Sequence, residues 1–165
     1  MRVVGIDPGT LKLGWGVVER RGTRLRHVAH GTLRLKPGPL ARRLVQIDRE
    51  LTAVLETHRP QQGAVESRLF AKNAQRAAKR GPAPGVVRMG LSRAGLEVGE
   101  YPPAQVKRAV VGRGGAAKAQ VAHIMAAMLT LGEPPQEDAA DALAVAVTHL
   151  NSMQFQAAVT RAALR

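Results

Sequence analysis

Four of the chain's 12 acidic residues stand where surface solvation does not explain them. Asp7 closes the apolar run Val3-Val4-Gly5-Ile6, Glu66 closes Ala64-Val65, and Asp138 and Asp141 stand three apart in Asp138-Ala139-Ala140-Asp141-Ala142-Leu143-Ala144-Val145. Residues three apart on a helix share a face, so that pair would project from a single turn. Like charges brought together are costly unless a cation compensates them. A chain without cysteine can offer a metal only oxygen and imidazole. Asp7, Glu66, Asp138 and Asp141 therefore point to a hard divalent ion, most naturally Mg2+ held by carboxylates, waters and substrate phosphate oxygens. Taken singly, Asp7 before Pro8-Gly9 also suits a turn residue, and Asp138 near a helix start also suits a partner for the helix dipole. The combination argues for a site.

Two of these acids need strands to carry them and two need a helix. Val3 to Asp7, Leu13 to Glu19 and about Leu25 to Arg34 are apolar-rich runs separated by Pro8-Gly9-Thr10 and Arg21-Gly22-Thr23, which predicts an antiparallel meander. After Pro37-Gly38-Pro39, apolar residues recur at Leu40, Leu44, Ile47, Leu51, Val54 and Leu55 until Pro60, the spacing of an amphipathic helix. Gly63-Ala64-Val65 and Leu96 to Tyr101 predict two further strands, the first delivering Glu66. Between them, Asn73 to Ala94 reads as two helical pieces, the second resuming at Val86 after an interruption at Pro82 and Pro84. Helices follow at Ala104 to Val111, Ala117 to Leu131 and Glu137 to about Leu150, the last rich in small residues that would let it lie close against a sheet. Residues 1–150 read as one domain and 151–165 as a basic tail whose order is left open. The element order predicts an α/β, ribonuclease-H-like fold with a mixed five-stranded sheet flanked by helices. Strand order is not visible in a sequence.

The 25 Lys and Arg against 12 Asp and Glu, net +13 over 165 residues, favour a polyanion partner, nucleic acid before anionic membrane. No run reaches the roughly 20 apolar residues that span a bilayer, and the start of the chain lacks a signal-peptide pattern, so a cytosolic protein with no membrane partner is expected. Four aromatic residues, Trp15, Phe70, Tyr101 and Phe155, leave few rings for base stacking. The excess charge concentrates between Ser67 and Lys118, where eleven Lys or Arg (Arg68, Lys72, Arg76, Lys79, Arg80, Arg88, Arg93, Lys107, Arg108, Arg113, Lys118) face two Glu. Such a segment suits phosphate contacts that position DNA without reading its sequence. Gly112-Arg113-Gly114-Gly115 lacks the full phosphate-loop pattern and reads as a flexible loop that brings Lys118 to the site. His123 and His149 read as structural or surface residues, Trp15 as packing, and Met125 with Met128 as a helix core stripe.

These residues resemble the RuvC-type Holliday-junction resolvases, the crossover junction endodeoxyribonucleases. The resemblance runs from Gly5-Ile6-Asp7-Pro8-Gly9-Thr10 through Ala64-Val65-Glu66, Ala71-Lys72-Asn73, Gln105-Val106-Lys107, Val111 to Val121 and Asp138-Ala139-Ala140-Asp141 to Thr148-His149. It implies that Asp7, Glu66, Asp138 and Asp141 are the catalytic, metal-binding carboxylates, with Asp7 shared between two Mg2+ ions for which Mn2+ can substitute. It also implies that Lys107 and Lys118 contact DNA near the scissile strand, Lys118 with a catalytic part, and that Phe70 carries the family's stacking ring. Arg68, Lys72, Arg76 and Arg113 are further DNA-contact candidates from the basic segment. The family's active unit is a homodimer that nicks a four-way DNA junction symmetrically, leaving 5′-phosphate and 3′-hydroxyl ends, and its members work with a branch-migration motor. Gly81-Pro82-Ala83-Pro84-Gly85 stands where relatives have Gly-Gln-Ala-Arg-Gly inside a helix associated with dimer contacts, so the two prolines are expected to bend that helix.

Two other readings account for parts of the chain. Gly5-Ile6-Asp7-Pro8-Gly9-Thr10 also resembles the first phosphate loop of actin-like ATPases, which need two such domains where this chain has room for one. A non-catalytic nucleic-acid-binding protein explains the charge but not the four carboxylates.

Overall fold

The computed structural model describes residues 1–9, 11–67, 81–112, 114–115 and 117–163. Its sheet is built from β1 (Arg2–Asp7), β2 (Lys12–Arg21), β3 (Arg24–Arg34), β4 (Gln62–Glu66) and β5 (Glu97–Tyr101). The order is β3-β2-β1-β4-β5. β1, β2 and β3 form the expected antiparallel meander, and β4 and β5 add in parallel beside β1. Parallel neighbours need a crossover, and α1 (Leu40–His58) and α2 (Ala83–Arg93) lie in those two connections. The helices α3 (Pro103–Val111), α4 (Lys118–Leu129) and α5 (Glu137–Ala163) follow.

The sheet has an apolar core on each face. Val4, Ile6, Val17 and Val65 pack with Ile47, Leu51 and Leu55 of α1 and Val87 and Leu91 of α2. Val3, Val18, Ala64 and Tyr101 pack with Val106 of α3, Val121, Met125 and Leu129 of α4, and Leu143 to Val147 of α5. The alternation of strand side chains produces this division: odd residues of β1 face α5, and Val4 and Ile6 face α1 and α2. α5 lies directly on the strands because Gly5, Gly14 and Gly16 present no side chain to it. A Cβ on Gly5 would stand 2.1 Å from the Ala142 carbonyl oxygen, and one on Gly16 2.7 Å from the Leu143 side chain.

Several boundaries differ from those expected. α2 begins at Ala83, before Val86, with Pro82 at its N-cap and Pro84 in its first turn. The missing N–H of a proline costs nothing at a helix start, so these two residues begin a helix instead of bending one. α4 stops at Leu129 rather than Leu131, because Thr130 turns into the left-handed region at φ 54°. Met128 is 38% exposed, so only Met125 belongs to the core. α5 passes Leu150 and continues to Ala163. Arg20 holds this extension to β2 with hydrogen bonds to Asn151 Oδ1 (2.7 Å) and Gln154 Oε1 (2.6 Å). The first helical piece expected from Asn73 lies mostly outside the described residues.

Candidate active site

β1 and β4 run parallel with Ile6 opposite Val65, so each strand's next residue, Asp7 and Glu66, stands at the same end of the sheet. Both face α5, as Val3, Gly5 and Ala64 do. On the other side of β1, Asp7 is paired with Gly14, and Gly14 lies against the first turn of α5: a Cβ there would be 1.9 Å from the carbonyl oxygen of Asp138. Asp141 is one turn further along the same helix and is 9% exposed, as is Glu66. Strand register and a glycine contact thus bring residues 7, 66, 138 and 141 to one end and one face of the sheet.

The neighbourhood of Glu66 is braced. Ser67, 3% exposed, donates its backbone N–H to the Tyr101 carbonyl at 2.9 Å, extending the β4–β5 pairing one residue past Glu66. Behind it, Arg88 of α2 donates to both carboxylate oxygens of Glu100 at 2.5 and 3.0 Å. The Arg88 guanidinium holds the Glu100 carboxyl below its ordinary range, and the hydrogen bond from Ser67 works in the same direction. Arg93 is likewise paired, with Asp48 at 2.6 Å. Two of the eleven basic residues read as phosphate contacts are therefore occupied within the fold.

His149 stands apart from the acidic end of the sheet. Its ring lies over Gly99, with Nδ1 2.8 Å from the Tyr101 hydroxyl and Nε2 2.7 Å from Gln62 Oε1. Gln62 is four residues before Glu66, about 13 Å away along an extended strand. His123 is exposed, 2.8 Å from the Ala119 carbonyl. Trp15 packs on the α1 face with its ring 5.5 Å from that of His58.

Lys107 is half-buried in α3, the helix that begins directly after β5 and hence beside Glu66. Lys118 is the first residue of α4, whose start is closed by the Gln120 side chain accepting from the Ala117 N–H at 3.2 Å. Arg68, Phe70, Lys72, Arg76 and Arg113 lie outside the described residues. Among the described residues, no three His, Asp or Glu side chains converge as a ready-made metal cage. The donors at the acidic end are nevertheless all carboxylates, which suits a hard cation. Mg2+ is usually held by one or two carboxylates, its remaining positions filled by water and substrate phosphate. The residues present fit such an ion.

The family model for crossover junction endodeoxyribonuclease RuvC matches residues 3–149. The chain belongs to the RuvC family. That makes it a nuclease of the hydrolase class, in a family of metal-dependent enzymes. The RuvC of Sorangium cellulosum is 58% identical over 160 residues, covering 96% of this chain and 89% of the relative. The RuvC of Thermus thermophilus, solved with a Holliday junction substrate, superposes with a TM-score of 0.85 at 38% identity, covering 94% of this chain and 96% of that one. A second Thermus thermophilus RuvC structure gives a TM-score of 0.81. The five-stranded mixed sheet is therefore the RuvC version of the ribonuclease-H-like fold. The match from residue 3 to residue 149 runs from β1 into α5 and includes all four carboxylates. No helix among the described residues is long and apolar enough to cross a membrane.

Proposed function

We propose that this protein resolves four-way DNA junctions by hydrolysing one phosphodiester in each of two opposed strands. The observation that carries the reading is the register that sets Asp7 and Glu66 side by side where Asp138 and Asp141 enter from α5. Asp7, Glu66, Asp138 and Asp141 would hold two Mg2+ ions, replaceable by Mn2+. Bound there, such ions would supply an activated water and stabilise the leaving oxygen of an in-line displacement. The P–O3′ bond breaks, so the ends are 5′-phosphate and 3′-hydroxyl and a ligase can join them. Glu66 and Asp141, each 9% exposed, act in a setting that screens their attraction to a cation less than bulk water does.

In this reading Lys107 and Lys118 draw the scissile phosphate towards the carboxylates, Lys118 with a part in the cutting step. Arg68, Phe70, Lys72, Arg76 and Arg113 guide the strands around the crossover. One nuclease domain per chain gives one site, so symmetric nicking requires a homodimer, whose two-fold axis matches that of the junction. The setting is the cytoplasm, in recombination and repair, with a branch-migration motor as a further partner.

The test offers a synthetic mobile four-way junction and a linear duplex of the same sequence to the protein with Mg2+. Wild type is expected to nick the junction at symmetry-related positions and leave the duplex largely intact, while Asp7→Asn binds the junction without cutting. Equal cutting of both substrates, or nicks with no symmetry, would remove the assignment.

A further inference from the structure

A cleft of about 760 Å³ lies between β3 and the turn that precedes α5, at the end of the sheet where β1 delivers Asp7. We propose that it holds a nucleotide of the cut strand next to the scissile phosphate and contributes to the choice of cleavage sequence. The proposal rests on the junction-cutting reading and names residues that the family resemblance did not assign.

Register places the cleft. Asp7 pairs with Gly14 and Gly14 with Thr32, so one line across the sheet runs from the catalytic end to the cleft wall. Two strand spacings separate Asp7 from Thr32, about 10 Å. Thr32, His30 and Arg34 alternate along β3 and share the α5 face with Asp7. The far wall is formed by residues 131–136, and Ala139, next to Asp138, closes the inner end. A strand lying over the carboxylates would reach this cleft with its adjoining nucleotide.

The two walls differ in chemistry. On β3, Arg34 is exposed, with no ion-pair partner among the described residues, and a guanidinium can engage phosphate through two parallel hydrogen bonds. Thr32 Oγ1 is shut off from solvent with no hydrogen-bond partner among the described residues. A buried hydroxyl left unpaired is unfavourable, and a turn about χ1 would present it to a ligand in the cleft. His30 lines the same wall, its Nδ1 2.8 Å from His27 Nε2. The opposite wall carries Glu133 and Gln136. A carboxylate repels phosphate but accepts from the amino group of cytosine or adenine, and an amide can pair with either kind of base edge. The cleft therefore orients a nucleotide with its phosphate towards Arg34 and Thr32 and its base towards Glu133 and Gln136.

The experiment measures junction affinity across a salt series, and the distribution of cut sites in a mobile-junction library, for wild type, Arg34→Ala, Arg34→Lys and Gln136→Ala. Arg34→Ala is expected to weaken binding about tenfold and reduce the salt slope by about one, with Arg34→Lys restoring the slope. Gln136→Ala is expected to keep the wild-type melting temperature while changing by threefold or more the ratio of sites cut. A wild type that cuts no junction overturns the function proposed above. Variants that match a junction-cutting wild type in affinity, slope and site distribution overturn the cleft alone.

Discussion

Burial sets the chemistry of His149. Taking the ring out of water disfavours its charged form and lowers its pKa from 6.5, although Glu97 pulls the other way. His27 and His30 are lowered for the same first reason. An unfolded chain therefore binds more protons than the folded one as pH falls through the ordinary imidazole pKa, and stability, complete above about pH 6.5, is lost below it. Melting temperature should fall between pH 7.5 and 5.5, and His149→Gln should show a shallower fall than wild type. An identical slope in the variant would mean that His149 does not contribute. The placement of the candidate carboxylates was legible in the sequence: Asp7 and Glu66 each end a strand, and Asp138 and Asp141 stand three apart on one helix. The tie of His149 to Tyr101 and Gln62 was not, because it joins residues 48 and 87 positions apart.

At the scale of elements, α5 and the sheet make the site together, and Gly14 is where they touch. Gly14→Ala would put a Cβ 1.9 Å from the Asp138 carbonyl oxygen and 2.3 Å from its carbon, so α5 must shift. Overpacking of this kind costs about 1–3 kcal/mol, read as an earlier denaturant midpoint, and cleavage should fall by more than that loss of stability explains. Gly85 is the contrast: it lies in α2 with open space where a methyl group would stand, nothing coming within 4 Å, and its φ is not positive. Gly85→Ala should raise stability by about 0.5–1 kcal/mol and leave cleavage unchanged. Strands and helices were readable because their periodicities and turn residues are local. The start of α2 was not, because a proline that breaks a helix and one that begins it look alike without the flanking backbone. Strand order, which sets Asp7 beside Glu66 and Thr32 in line with Gly14, depends on pairings between distant segments.

Over the whole molecule, net charge and its placement decide how DNA is met. The excess of 25 basic over 12 acidic residues was plain in the sequence, and junction affinity should fall steeply with salt. Which residues are free to meet phosphate was less plain. Arg88 and Arg93 are paired with Glu100 and Asp48, whereas Arg34, far from the basic segment in sequence, lines the cleft between β3 and the turn before α5. In the proposed reaction the carboxylates cut and the cations deliver the phosphate. Its most direct test is a single-turnover assay on the mobile junction with Mg2+, with binding measured in parallel, for wild type and for Asp7→Asn, Glu66→Gln, Asp138→Asn and Asp141→Asn. Wild type is expected to nick symmetrically, and the four variants to bind within about threefold of wild type but cut on the order of a hundredfold or more slowly, the loss expected when transition-state stabilisation alone is removed. Near-normal cutting by any one of the four, or slow cutting fully explained by lost binding, would contradict the proposed reaction.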